Sequence, residues 1–143
     1  MKKNINQTVL FFMDLAKLQA IASRRFDNGL GGLGFNEFII LHHLNQAENE
    51  RMRRIDLAEK IGLTASGVTR ILLPMEKVGL VKKEVNKDDA RSSWVIIAPG
   101  GKRRLSEGLE RAEFLVDEII SDKNKTKIKE LSEVIVQIAR EIR

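Results

Sequence analysis

The sequence predicts a mostly α-helical fold with one small β-hairpin, and three observations carry that prediction. Apolar residues recur at helical spacing over most of the chain. One stretch with a polar centre, 80–97, has flanks that alternate or run β-branched. Glycines fall where these patterns break. At 143 residues the chain suits a single domain, 1–143, with one core.

The first helix spans roughly 4–26. Ile5, Val9, Phe12, Ala16 and Ala20 follow at spacings of three and four, while Leu10, Phe11, Leu15, Leu18 and Ile21 make its other sides apolar too. A terminal helix of this kind is wrapped by its own fold or shared with a second subunit. "NGLGGLG" (28–34) ends it, because four glycines in seven positions favour irregular backbone. "NEFIILHHLNQ" (36–46) restarts a helix with Gly34 or Asn36 as cap. "RRIDLAEKIG" (53–62) is a short helix closed by Gly62, and the next, within 63–81, is capped by Thr64 and ended by Gly79. Pro74 inside that helix removes one backbone hydrogen bond and should kink it.

Leu80–Val85 and Ser93–Ile97 form the hairpin. After "APGG" helix resumes over about 102–121, "SDKNK" turns, and a last helix follows. Its Ile128, Leu131, Ile135, Ile138 and Ile142 make a heptad-like seam suited to a partner helix.

Composition narrows the function. Hydrophobic residues are 43% and charged residues 31%, the balance of a soluble globular protein. No apolar run approaches the roughly 20 residues that span a bilayer, and Asp14 and Lys17 interrupt the first segment, so it is not read as a signal peptide. The expected location is cytoplasmic. Without cysteine there is no disulfide, thiolate metal site or thiol nucleophile. His42 and His43, the only histidines, point about 100° apart on a helix and do not chelate one ion from it. "GLGGLG" follows a helix, not a strand, and reads as a linker; Ser66 has no nearby histidine. The expectation is therefore no enzyme, no metal and no cofactor.

Charge is uneven. Residues 51–104 hold 13 Lys and Arg against 6 Asp and Glu, a net +7, and the remainder holds 12 against 14, a net −2. A basic middle between near-neutral ends fits a segment that binds a polyanion. The two short helices joined by "GLTAS" fit a helix-turn-helix, with small Ala58 at their crossing and Gly62 at the turn. The second helix of such a unit presents its N-terminal residues to base edges in a major groove, here Ala65, Ser66, Gly67, Thr69 and Arg70. Val68, Ile71, Leu72 and Met75 form its apolar side.

The hairpin directly after it supplies a wing. Arg91 would stand at the wing tip, where a narrow minor groove favours a guanidinium. Asp89 would hold that side chain or cap the turn. Lys82, Lys83 and Lys87 would approach phosphates, and Trp94 would pack at the wing root.

"IDLAEKIGLTASGVTRILLPMEKVGLV" followed by "DARSSWVIIAPGG" resembles the multiple-antibiotic-resistance regulator (MarR) family of bacterial transcription factors. Asp89, Arg91, Val95 and Gly101 match that family's wing pattern, Ile97 replaces leucine, and Ala98 stands where threonine is usual. Arg53 also departs, at a helix start that a small hydroxyl residue commonly caps. The resemblance implies a winged helix-turn-helix lobe over 36–100 and a helical dimerisation region over 1–34 and 102–143. It further implies a homodimer on palindromic double-stranded DNA, acting as a repressor released by a small aromatic or phenolic effector. The surface assigned to DNA comprises Arg53, Arg54, Thr64, Ser66, Thr69, Arg70, Lys82, Lys87, Asp89, Arg91 and Ser93. Phe12, Arg25 and His42 are conceivable effector contacts. A winged-helix module that binds another protein is the alternative, and it would show little salt-dependent affinity for DNA.

Overall fold

Asn6 sets the start of the first helix, because its side-chain oxygen accepts a hydrogen bond from the Thr8 amide at 2.7 Å. The computed structural model describes residues 2–89 and 92–142. α1 runs Gln7–Gly29, a few residues later at both ends than the sequence suggested, and none of its residues is buried. Gly31 (φ +69°) and Gly32 (φ +92°) then take left-handed backbone that a side chain would resist. Two carboxylates bracket this bend. Asp27 accepts from the Phe35 amide and Glu37 from the Gly34 amide, both at 2.7 Å. α2 (Phe35–Gln46) therefore begins with Gly34 as its cap, and Phe35 stacks on Phe26 of α1 at 4.3 Å between ring centroids.

The expected hairpin is part of a three-stranded antiparallel sheet. β1 (Arg51–Arg53) pairs with β3 (Ser93–Ile97), which pairs in turn with β2 (Val81–Val85), in the order β1-β3-β2. Met52 faces Val95 across one ladder and Lys83 faces Val95 across the other. β1 corrects the sequence reading, which allowed only two strands. Three residues, two of them arginine, cannot display a strand pattern, and their pairing partner is remote in sequence. The chain enters β1 through a 3₁₀ turn at Glu48–Glu50, where Asn49 (φ 56°) and Glu50 (φ 55°) are left-handed without being glycine. Each such residue costs about 1–2 kcal/mol, and Lys102 anchors the turn through an ion pair with Glu50.

α3 (Arg54–Ile61) and α4 (Ala65–Lys77) follow, joined through left-handed Gly62 (φ +75°). The Ala58 carbonyl accepts from the Leu63 amide at 3.0 Å, which closes α3. α5 (Pro99–Ile119) begins earlier than expected, because "APGG" is the first turn of this helix and not a loop. Proline lacks only the amide that a first-turn residue leaves unbonded.

Met1–Ala112 and Glu113–Arg143 are two compact units. In the first, Leu30, Leu33, Ile40, Leu41, Leu44, Leu57, Val68 and Met75 are fully buried, and α2, α3, α4 and the sheet close around them. In the second, the expected "SDKNK" turn contains a one-turn helix, α6 (Asp122–Lys125), capped by Ser121. α7 (Ile128–Ile142) buries nothing. Ile128, Leu131, Ile135 and Ile142 of the expected seam are exposed, and Ile138 is partly covered. Among the described residues no helix is long and apolar enough to cross a membrane.

His42 is exposed and its neighbour His43 half-buried. Burial first, then His42 and Lys60, push the His43 imidazole below its ordinary value. The unfolded chain takes up this proton near pH 6.5, so below that pH it binds more protons than the folded chain. His43 therefore contributes full stability above about pH 6.5, and that contribution is lost as pH falls toward the depressed folded value. Urea midpoints should drop between pH 7.5 and 5.5, and drop less in His43→Gln.

Candidate nucleic-acid interface

α4 buries Val68, Leu72 and Met75 and half-buries Ile71, which turns Ser66, Arg70 and Leu73 to solvent. All four residues expected on the apolar side are there. Thr64 is the cap, its Oγ1 accepting from the Gly67 amide at 3.0 Å, and it lies 3.2 Å from Ser66 Oγ. Thr64 thus organises the start of α4, and Ser66 stands on that ordered first turn. Thr64→Ala is expected to cost about 1 kcal/mol, measurable as a lower urea midpoint at unchanged slope.

The two arginines at the start of α3 are placed differently. Arg53 is the N-terminal cap residue and forks onto Asp56, with Nε donating at 2.8 Å and Nη2 at 3.2 Å. That hydrogen bond and the charge of Asp56 hold its pKa above the ordinary arginine value, with a smaller share from Asp89. Asp89, on the wing, therefore lies within electrostatic reach of the α3 start. Arg54 is exposed and donates from Nη1 to Thr69 Oγ1 at 3.0 Å. Thr69 donates its own hydroxyl proton to the Ala65 carbonyl at 3.0 Å.

The wing carries Lys82 and Lys83 on β2 and Lys87 beyond it, all exposed. Ser93 opens β3, opposite Val85. Arg54, Thr69, Leu73, Lys82, Lys83 and Ser93 line a cleft between α4 and the wing. Helix and wing thus present one basic face, interrupted by Glu76. Arg91, expected in the minor groove, lies outside the described residues, so its place relative to Asp89 is not part of this geometry.

Two features went unread in the sequence. Asn86 is 7% exposed, accepts from the Asp88 amide at 3.0 Å and donates to Ser92 Oγ at 3.3 Å, so it organises the wing turn. Its spacing before "DD" is the signal for such a turn. Arg51 of β1 lies over the Trp94 ring, 4.2 Å from the centroid, and reaches Glu84 at 4.0 Å. Trp94 packs at the wing root as expected, with one ring face covered by a cation. Among the described residues no group of three His, Cys, Asp or Glu could hold a metal ion.

A helix-turn-helix followed by a β-hairpin wing, whose sheet is completed by β1 from before the two helices, defines a winged helix-turn-helix fold. Residues 35–93 match the model of the MarR family. Solved structures agree on the fold over nearly the whole chain. The transcriptional regulator BldR from Sulfolobus solfataricus is 24% identical, with 95% of this chain and 99% of that one covered and a TM-score of 0.79. Sco3205, a MarR family transcriptional regulator from Streptomyces coelicolor solved in complex with DNA, is 16% identical over 96% and 91%, with a TM-score of 0.75. PcaV from the same organism, a transcriptional regulator solved with its natural ligand, is 13% identical over 96% and 99%, with a TM-score of 0.78.

Proposed function

We propose that this protein is a homodimeric DNA-binding transcriptional regulator that represses nearby genes and is released by a small aromatic or phenolic effector. One observation carries the reading. Thr69 of α4 and Arg54 line one cleft with Lys82 and Lys83 of the wing, and Ser66 and Arg70 stand exposed on the first turns of the same helix, inside a segment of net charge +7. Side chains on the start of a helix reach base edges in a major groove, and flanking lysines fix the register through phosphates. Arg91 would add a minor-groove contact. The lobe is proposed to span 36–100, with 1–34 and 102–143 as the dimerisation region, and the protein to act in the cytoplasm without a cofactor.

Dimerisation is supported by the apolar faces the chain leaves open. Val9, Met13 and Leu18 of α1 and Leu131 and Ile135 of α7 are each exposed by 43% or more. Large apolar patches of this kind mark association surfaces. A symmetric dimer would read a palindrome with half-sites ~34 Å apart. Repression and effector release rest on the resemblance, and on PcaV having been solved with its natural ligand.

Fluorescence anisotropy against the gene's own upstream DNA and a scrambled duplex, at several salt concentrations, tests the reading. Tight, steeply salt-dependent binding to the first alone is the expected result, with sedimentation giving the mass of a dimer. Equally weak binding to both duplexes, at low salt as well, would move the function to a protein partner.

A further inference from the structure

Thr69 and Arg54 both belong to the surface assigned to DNA, but their geometry gives them unequal parts. The Thr69 hydroxyl has one proton, and that proton is donated to the Ala65 carbonyl one turn back. Its oxygen also accepts from Arg54 Nη1. A hydroxyl bonded on both sides has no donor left for a base edge. Arg54 is in the opposite situation. It spends one of five N–H donors on Thr69, is exposed, and forms no ion pair among the described residues. It stands at the cleft between α4 and the wing, which Lys82 and Lys83 also line.

An exposed arginine side chain ordinarily samples many rotamers, and fixing it costs up to about 2 kcal/mol of conformational freedom. A hydrogen bond from one terminal nitrogen to a helix-borne hydroxyl removes part of that freedom before any ligand arrives. The hydroxyl is itself fixed by its bond to the helix backbone. The chain Ala65–Thr69–Arg54 therefore aims a guanidinium from the start of α3 across the front of α4, where a phosphate would pass in the proposed complex.

We propose that Thr69 is a positioning residue and not a base reader: it holds Arg54 at the cleft mouth as a preset phosphate contact. This rests on the DNA-binding function proposed above. The two roles make opposite predictions. A base reader affects sequence preference and leaves non-specific binding alone, whereas a residue that orients a phosphate contact affects all sequences alike.

The test uses the full-length protein and a 30-base-pair duplex of random sequence, titrated by anisotropy at several salt concentrations. Arg54→Ala should weaken binding about tenfold at low salt and reduce the salt slope by about 1 per protomer. Thr69→Val, which keeps shape and loses the hydroxyl, should weaken binding about threefold, and Thr69→Ser should restore it. In the double variant Thr69→Val should add nothing to Arg54→Ala. Circular dichroism checks that each variant is folded, and Thr69→Ser keeps the comparison available if Thr69→Val is not. A Thr69→Val protein with unchanged random-duplex affinity but altered preference among defined sequences would overturn the proposal. So would an additive double variant. Wild-type protein that binds the random duplex at no salt concentration would instead defeat the DNA-binding reading itself.

Discussion

Replacing Gly101 by alanine should destabilise the fold by about 3 kcal/mol and lower Tm by about 10 °C. Helix propensity alone predicts the reverse, since alanine in a helix is favoured over glycine by about 1 kcal/mol. The obstacle is the close approach of α5 to the strand below it. A β-carbon at Gly101 would overlap the Leu80 carbonyl oxygen and lie 2.9 Å from Ile97 Cγ1 and 3.1 Å from Leu41 Cδ2. That carbonyl accepts a hydrogen bond from the Ala98 amide at 3.0 Å, so it cannot retreat without disturbing the turn into α5. The three groups belong to the packed interior of the first unit, where little void exists to take up the shift. Gly62→Ala provides the contrast. Nothing lies within 4 Å of its added β-carbon, and only left-handed backbone (φ +75°) opposes it, at about 1–2 kcal/mol. Thermal unfolding of the two variants separates packing from backbone strain, and a Gly101→Ala protein as stable as wild type would refute the packing argument.

The second large effect concerns Arg70. In the proposed complex Arg70→Ala should weaken specific binding by a factor of about 10 to 100 per protomer, the range expected for a lost bidentate contact to guanine. Arg70 is exposed one turn after Ser66 on α4, and no described residue forms an ion pair with it. It differs in this from Arg53, whose fork is occupied by Asp56. The measurement is anisotropy against a selected operator and against random duplex. Loss confined to the operator identifies a base reader, and equal loss on both identifies a phosphate contact. Unchanged binding to either would remove Arg70 from the interface.

Much of the lobe could be read from local signals. Thr64 and Gly62 declare the ends of their helices through side-chain chemistry and backbone freedom, both of which act within a few residues. Val68, Ile71, Leu72 and Met75 define the inward side of α4 by spacing alone, and this side is what turns Ser66 and Arg70 outward. β1 was missed for the opposite reason. It consists of three residues stabilised by a partner strand far along the chain, and it has no local pattern. The positive φ angles of Asn49 and Glu50 follow from the same pairing, since the turn must deliver Arg51 into register with Ile96. The division of labour between Arg54 and Thr69 was also invisible, because both are simply polar residues until α3 and α4 cross.

The sequence by itself determined the longer helices, the Thr64 and Gly62 caps, the basic middle, and the apolar seams of α1 and α7, because each is a property of neighbouring residues. The tertiary structure alone decided the third strand, the close contact that requires glycine at 101, and which arginines are occupied and which stand open. These depend on distances between segments remote in sequence, and such distances exist only once the core has packed.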